Sequence, residues 1–366
     1  MSNTKPVAFV AGALAAKVGN GGHAWSRISL VLGLQRLGFD VVYVEQLPSA
    51  GPAERAYFDR VCVQFGIDGC LLLGAPTRDL VERAETASLL LNIGGHLTVE
   101  PLKRSPRRRV YLDDDPGYTQ LWTQARVVGA RLQGHDMYFT FGQNIGGRDC
   151  TLPTGGLEWH RLRPPVLLDE WPFVHGALDR FTTVASWRGA YGRVEWGGRL
   201  LGQKAHEFRR FVDVPELVDH PFEIALAIDE ADHADADLLK RHGWQLVDPR
   251  GVAATPDDFR RYVQGSGAEF SVAQGIYVET ASGWFSDRTT RYLASGKPAV
   301  VQDTGFARHV PTGEGLIAFS TLDEAVAGAE AIARDYSSHA QAARALAEQQ
   351  FGSDKVLGRM LDEVGV

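Results

Sequence analysis

One pattern constrains this chain more than any other. Strand-length apolar runs alternate with helix-length segments, break off at a proline-rich stretch, and then begin again. In the first half the runs are "VAFVAGAL", "DVVYVEQL", "SLLLNIGG", "RRRVYLDDD" and "HDMYFTFG". Between the first two lies "SRISLVLGLQRLGF", a helix that Ser26 can cap and Gly38 can end. "PAERAYFDRVCVQFGI" predicts a second helix. Residues Pro153 to Pro172 are rich in Pro, Gly and Trp, show no clean period, and read as a connection. The alternation restarts with "FTTVASW", "PFEIALAI", "WQLVDP" and "AEFSVAQ", and Thr255 opens a helix with acids in its first turn. Strands that alternate with helices predict parallel sheets covered on both faces. The expected fold class is α/β, with two Rossmann-like doubly wound domains facing a central cleft. Residues 1–160 form the first, 161–175 the linker, and 176–345 the second; the helix 346–366 is placed to pack back on the first. A length of 366 residues suits two domains. The cleft between them is the expected site.

Composition narrows the partners. The net charge is −7, so no global basic field exists to hold nucleic acid, and none is expected as a partner. The cluster "KRSPRRR" at Lys103–Arg109 has no interleaved aromatics and reads as a solvated loop. No apolar stretch approaches the roughly 20 residues of a membrane helix. The N-terminal apolar run lacks a basic leader and reads as a first strand. Cys62, Cys70 and Cys150 are odd in number and lack paired metal spacing, which suits a reduced cytoplasm. "DEADHADAD" at Asp229–Asp237 lacks the central glycine and closing glutamate of a calcium loop, and no metal is expected.

The chemistry concentrates in "GWFSDRTTRYLASGKPAVVQDTGF", from Gly283 to Phe306. Ser286 can cap a helix over Asp287–Ser295, which Gly296 and Pro298 end. A helix N-terminus offers free N–H groups and a positive dipole end, so it suits a phosphate, and Arg288 and Arg291 can add charge there. Asp303-Thr304-Gly305 then follows a buried strand at its carboxyl end, where parallel sheets bind ligands.

This stretch resembles the donor-site segment of GT-B-fold glycosyltransferases that use nucleotide sugars. The resemblance implies that Ser286 and Asp287 sit at a diphosphate and that Asp303, Thr304 and Gly305 face the donor sugar. It further implies a cation after the first strand of the second domain, with Lys204 and Arg188 as candidates, and a nucleobase contact near Val247 to Pro249. The co-substrate would be a UDP-, TDP- or GDP-sugar, with nothing tightly bound. The first domain would hold a small-molecule acceptor with a hydroxyl or amine, and a general base. His23, in the loop "GNGGHAW", is the candidate base of an inverting enzyme, steadied by an acid from Asp113–Asp115; Asp113 and Asp115 are the named candidates. His96, in "NIGGHLT", is a rival base. A homodimer is compatible with this reading. A sugar-nucleotide epimerase of the same fold shares these cues. So, with less support, does an NAD-dependent oxidoreductase, although "VGNGGH" is not GxGxxG in register. A non-catalytic binding module is a further alternative, favoured if His23, His96 and Asp113–Asp115 lie away from the cleft.

Overall fold

The computed structural model describes residues 5–126, 128–148, 150–189 and 191–366. Two parallel sheets organise it. The first contains β1 (Val7–Ala11), β2 (Asp40–Gln46), β3 (Asp68–Leu72), β4 (Leu89–Ile93), β5 (Arg108–Asp113), β6 (Met137–Thr140) and β7 (Trp159–Arg161), in the order β3-β2-β1-β4-β5-β6-β7. The helices α1 (Gly21–Arg36), α2 (Pro52–Phe65), α3 (Arg78–Thr86), α4 (Glu100–Arg104) and α5 (Tyr118–Gln124) accompany it. Every pairing in this sheet is parallel. The central strand β4, "LLLNI", is buried at all five positions, as a strand covered on both faces must be.

The second sheet has the order β12-β11-β8-β13-β14-β15 and is also parallel throughout. Its strands are β8 (Phe181–Ser186), β11 (Phe222–Ala227), β12 (Trp244–Val247), β13 (Ala268–Ser271), β14 (Ala299–Gln302) and β15 (Leu316–Phe319). An antiparallel hairpin, β9 (Val194–Trp196) and β10 (Arg199–Leu201), interrupts the sequence order. The helices are α6 (Lys204–Phe208), α7 (Val214–Leu217), α8 (His233–Arg241), α9 (Pro249–Val252), α10 (Pro256–Gln264), α11 (Gly275–Glu279), α12 (Asp287–Ala294), α13 (Leu322–Arg334), α14 (Tyr336–Gln350) and α15 (Ser353–Val364).

Two local expectations change. The first helix begins at Gly21 and not at Ser26, because the Asn20 side chain accepts from the His23 amide at 3.0 Å and caps it there. The stretch Pro153–Pro172 is not all connection. It contributes β7, a three-residue edge strand too short to show a period between its flanking prolines.

One apolar cluster spans both lobes. At its centre Trp25 of α1 meets Trp171 edge-on at a centroid distance of 5.0 Å, and Trp171 meets Phe259 of α10 at 6.1 Å. All three side chains are buried, so the lobes share a dry aromatic floor. Helix α15 returns to the first lobe and lies along α1. A Cβ on Gly33 would fall 2.4 Å from Leu357 Cδ1. Among the described residues no helix is long and apolar enough to cross a membrane.

Candidate functional site

Gly21 and Gly22 of "GNGGH" are explained by how closely the two lobes approach, while Gly19 takes a positive φ of +77° in open space. The Gly21 amide donates to Ala253 O at 2.8 Å, and a Cβ at Gly21 would lie 2.0 Å from Thr255 O. Trp25 Nε1 donates to Pro256 O at 2.8 Å, one turn further along α1. The first turn of α1 is therefore pinned against the second lobe. Opposite it, α12 begins after Ser286, whose Oγ accepts from the Arg288 amide at 3.2 Å. Between the two helix tips lies a crevice of about 280 Å³. Asn20, Gly22 and His23 line it from one lobe; Asp287, Arg288 and Arg291 line it from the other, beside the carboxyl end of β8. Two positive dipole ends thus face one space, an arrangement suited to an anion.

Arg291 is the most informative residue there. Its side chain is 0% exposed. Its guanidinium carbon lies 6.0 Å from the Trp171 ring centroid, and Nη1 donates to Asp287 Oδ2 at 2.9 Å. Among the described residues Nε and Nη2 have no hydrogen-bond partner. Burial pulls its pKa below the usual value. A buried guanidinium with two unsatisfied nitrogens is costly unless a ligand completes it. Ser286 itself is buried and serves as the cap.

Behind the tip, Arg288 is spent on structure. Nε donates to Glu269 Oε1 at 2.6 Å, Nη1 to Val184 O at 2.7 Å and Nη2 to Ser271 Oγ at 2.6 Å. This fork fixes the ends of β8 and β13 and holds α12 against them. Lys204, at the start of α6, donates to Val272 O. Burial, then the neighbouring Arg288, pulls its pKa down to about 7, against the pull of Glu269. A second recess of about 670 Å³ lies at the carboxyl ends of β8, β11 and β12 and contains Val247. Ser186, Ala227 and Pro249 border both spaces, so the two are adjacent.

His23 sits in the first turn of α1, not in a loop. Its Nε2 is 2.9 Å from Ala13 O. A carbonyl only accepts, so Nε2 carries the proton and Nδ1 keeps the lone pair. Burial and then Arg27 hold the pKa well below the usual value, so the ring is neutral at pH 7. The acid expected to steady it is elsewhere. Asp113 is 0% exposed and accepts from Thr119 Oγ1, Gln120 Nε2 and Thr140 Oγ1 at 2.7–2.8 Å, which makes it a structural anchor for the turn after β5. Asp114 pairs with Arg27 at 2.9 Å. Asp115 accepts from the Tyr277 hydroxyl of the other lobe, and burial pushes its carboxyl up to about 7. None of the three acids takes the place of the Ala13 carbonyl at Nε2. His96 lies by Asp114 near Gly94, and burial together with Arg27 pulls it down to about 4.

Other expected positions are turned to different uses. Arg188 does not reach the tip of α12. It forks onto Asp232, with Nε 2.6 Å from Oδ2, at the rim of the second recess. The run "DEADHADAD" leads into α8 with most of its residues exposed, while two of its carboxylates are buried: Asp232 holds Arg188, and Asp235 accepts from Arg209 and Trp187. The Asp303 carboxylate accepts from the Gly305 amide at 2.8 Å and from Ala307, capping the next turn. Thr304 is buried and donates to Trp284 O. Gly305, at φ +90°, presses on Asn144 of the first lobe, where a Cβ would lie 2.5 Å from Nδ2. Of the three, Gly305 joins the interlobe seam, while Asp303, through Oδ1, and Thr304 brace the turn within the second lobe. Sequence reasoning missed Asn144 and Asn20. Asn144 Nδ2 donates to Ala281 O at 2.8 Å and Gly305 O at 3.1 Å. Asn20 carried a readable signal, an amide side chain three residues before His23; Asn144 carried none.

No protein-family model matches the sequence, and no curated protein matches it. Solved structures do match. One is an alpha-glucosyltransferase in complex with UDP and a 13-mer DNA containing a HMU base, 10% identical, with a TM-score of 0.61 over 99% of this chain and 100% of that one. Anabaena HepE in complex with UDP and glucose is 13% identical, with a TM-score of 0.60 over 99% and 100% of the chains. AviGT4, a glycosyltransferase involved in avilamycin A biosynthesis, is 15% identical, with a TM-score of 0.57 over 99% and 97%. This chain has their fold: two Rossmann-like lobes facing a cleft, the GT-B architecture. The exclusion of nucleic acid is corrected. Three similar structures are alpha-glucosyltransferases in complex with DNA. A net charge summed over the whole chain does not report local cationic surfaces, which are what meet phosphates.

Proposed function

We propose that the chain is a glycosyltransferase that uses a nucleotide sugar, with the donor diphosphate in the crevice between α1 and α12. The observation that carries this reading is Arg291: fully buried, lining the crevice, with Nε and Nη2 unpartnered. A phosphate oxygen placed there completes both nitrogens and meets the two helix tips. Lys204 and the Arg288 fork add positive charge from behind. The nucleobase takes the adjacent recess by Val247. The UDP complexes of similar structures favour a uridine donor.

The residues then do the following. As the glycosidic bond to the diphosphate breaks, negative charge grows on the leaving oxygen; the tip of α12 stabilises it, and Arg291, covered in the free protein, joins once the donor displaces that cover. Asp287 is neutralised by Arg291 and does not repel the donor strongly. The Ala13 carbonyl fixes the His23 tautomer, so Nδ1 can accept a proton from an acceptor hydroxyl. A bound diphosphate offsets Arg27 and lifts the His23 pKa, so the base strengthens once the donor is present. Attack assisted by a base from the opposite lobe corresponds to inversion.

Thermal shift and calorimetry against UDP, TDP, GDP and NAD test the donor. UDP-glucose is then incubated with an acceptor panel of small alcohols and duplexes bearing hydroxymethylated bases. Transfer to any of these, with the product anomer read by NMR, supports the reading. Binding of NAD with nucleotide diphosphates inert contradicts it.

A further inference from the structure

A second crevice, of about 240 Å³, lies where three parts of the chain meet: the end of β7, the turn after β14, and α15. Its lining includes Arg161, Arg163, His309, Lys355, Arg359 and a single acid, Glu363. Glu363 is already engaged with His160 Nδ1 at 3.0 Å. Lys355 and Arg359 stand one turn apart on α15, so they project on one face. Arg163 reaches across the seam and donates Nη2 to His309 O at 2.8 Å, yet its buried Nε has no partner among the described residues. Burial and then Arg359 lower the Arg163 pKa, and burial, Arg161 and Arg163 lower that of His309, which is the signature of cations crowding one another. His309 Nε2 is 2.7 Å from Asn144 Oδ1, in the seam between the lobes. Like charges do not gather this way at a neutral recess without a counter-ion.

We propose that this crevice binds a phosphate-type oxyanion, either free phosphate or a phosphodiester of an oligonucleotide, and that the bound anion braces α15 against both lobes. Arg163 supplies its unsatisfied Nε, and Lys355 and Arg359 close over the ion from the helix. The site is separate from the donor crevice and does not depend on the glycosyltransferase reading.

The test uses the full chain and a double variant, Lys355→Gln with Arg359→Gln. Both positions are exposed on a helix, so folding is preserved, which circular dichroism checks. Inorganic phosphate and a 13-mer duplex are titrated by calorimetry at fixed ionic strength, then across salt. Loss of at least tenfold in phosphate affinity in the double variant supports a free-phosphate site. A duplex that binds the wild type, with a salt slope reduced by about two in the double variant, supports the phosphodiester source. Arg291→Met is the control. If phosphate binding falls in that variant and not in the double variant, the ion belongs to the donor crevice and the proposal is overturned. Equal binding of both probes to wild type and double variant overturns it too.

Discussion

Arg291 combines two opposed roles. It is a buried charge without full compensation, and such a charge destabilises the fold that carries it. Replacing it by methionine keeps an unbranched apolar stem in the pocket and removes the charge, the unsatisfied nitrogens and the cation–π contact with Trp171. We expect Arg291→Met to hold or raise the melting temperature while UDP affinity falls at least tenfold, or about 1.4 kcal/mol. A parallel fall in stability and affinity contradicts the assignment. His23→Ala is expected to lower turnover by about 10²–10⁴-fold with unchanged UDP affinity, in single-turnover kinetics and calorimetry. Lys204 supplies a pH signature. Its pKa in the free protein is about 7, and a neighbouring diphosphate raises it. The affinity it contributes is fully present below pH 7 and is lost as the pH rises through the higher bound-state value. UDP-glucose binding should therefore weaken between about pH 7 and 9, and Lys204→Met should flatten that limb.

At the scale of elements, the tip of α1 is a docking device as well as a helix start. Gly21→Ala drives a Cβ into Thr255 O, a backbone atom that cannot swing aside. The expected result is a loss of about 1–3 kcal/mol in chemical denaturation, with weakened nucleotide binding. The strands and the start of α12 were legible in the sequence because their determinants are local. Apolar runs bounded by glycine or acid gave β4, β5 and β6, and Ser286 marked its own helix. The start of α1 was not legible, since two adjacent glycines argue against a helix by propensity. Asn20 was a cap signal, but the glycines themselves are explained only by contacts far along the chain, Gly21 with Ala253 and Thr255 and Gly22 with Phe259. The same holds at the site. Arg291 was visible as a nearby charge, but its burial against Trp171 was not. Asp303 had the expected address, at a strand end, and its Oδ1 also caps its own turn, a task its spacing to Gly305 and Ala307 did not announce. The Asp113–Asp115 run followed the right strand, yet Asp113 and Asp114 are taken by partners within the first lobe and Asp115 by Tyr277 of the second, pairings that only the folded chain provides.

The whole molecule is two lobes locked by a shared aromatic floor, by the Asn144 seam, and by α15 folded back along α1. These contacts place one helix tip from each lobe across a single crevice. The central claim is that this crevice, completed by Arg291, takes the diphosphate of a nucleotide sugar. Isothermal titration of wild-type protein and Arg291→Met with UDP tests it most directly. The account predicts saturable one-to-one binding to the wild type and at least a tenfold loss in the variant. Undiminished UDP binding by a folded Arg291→Met protein contradicts it.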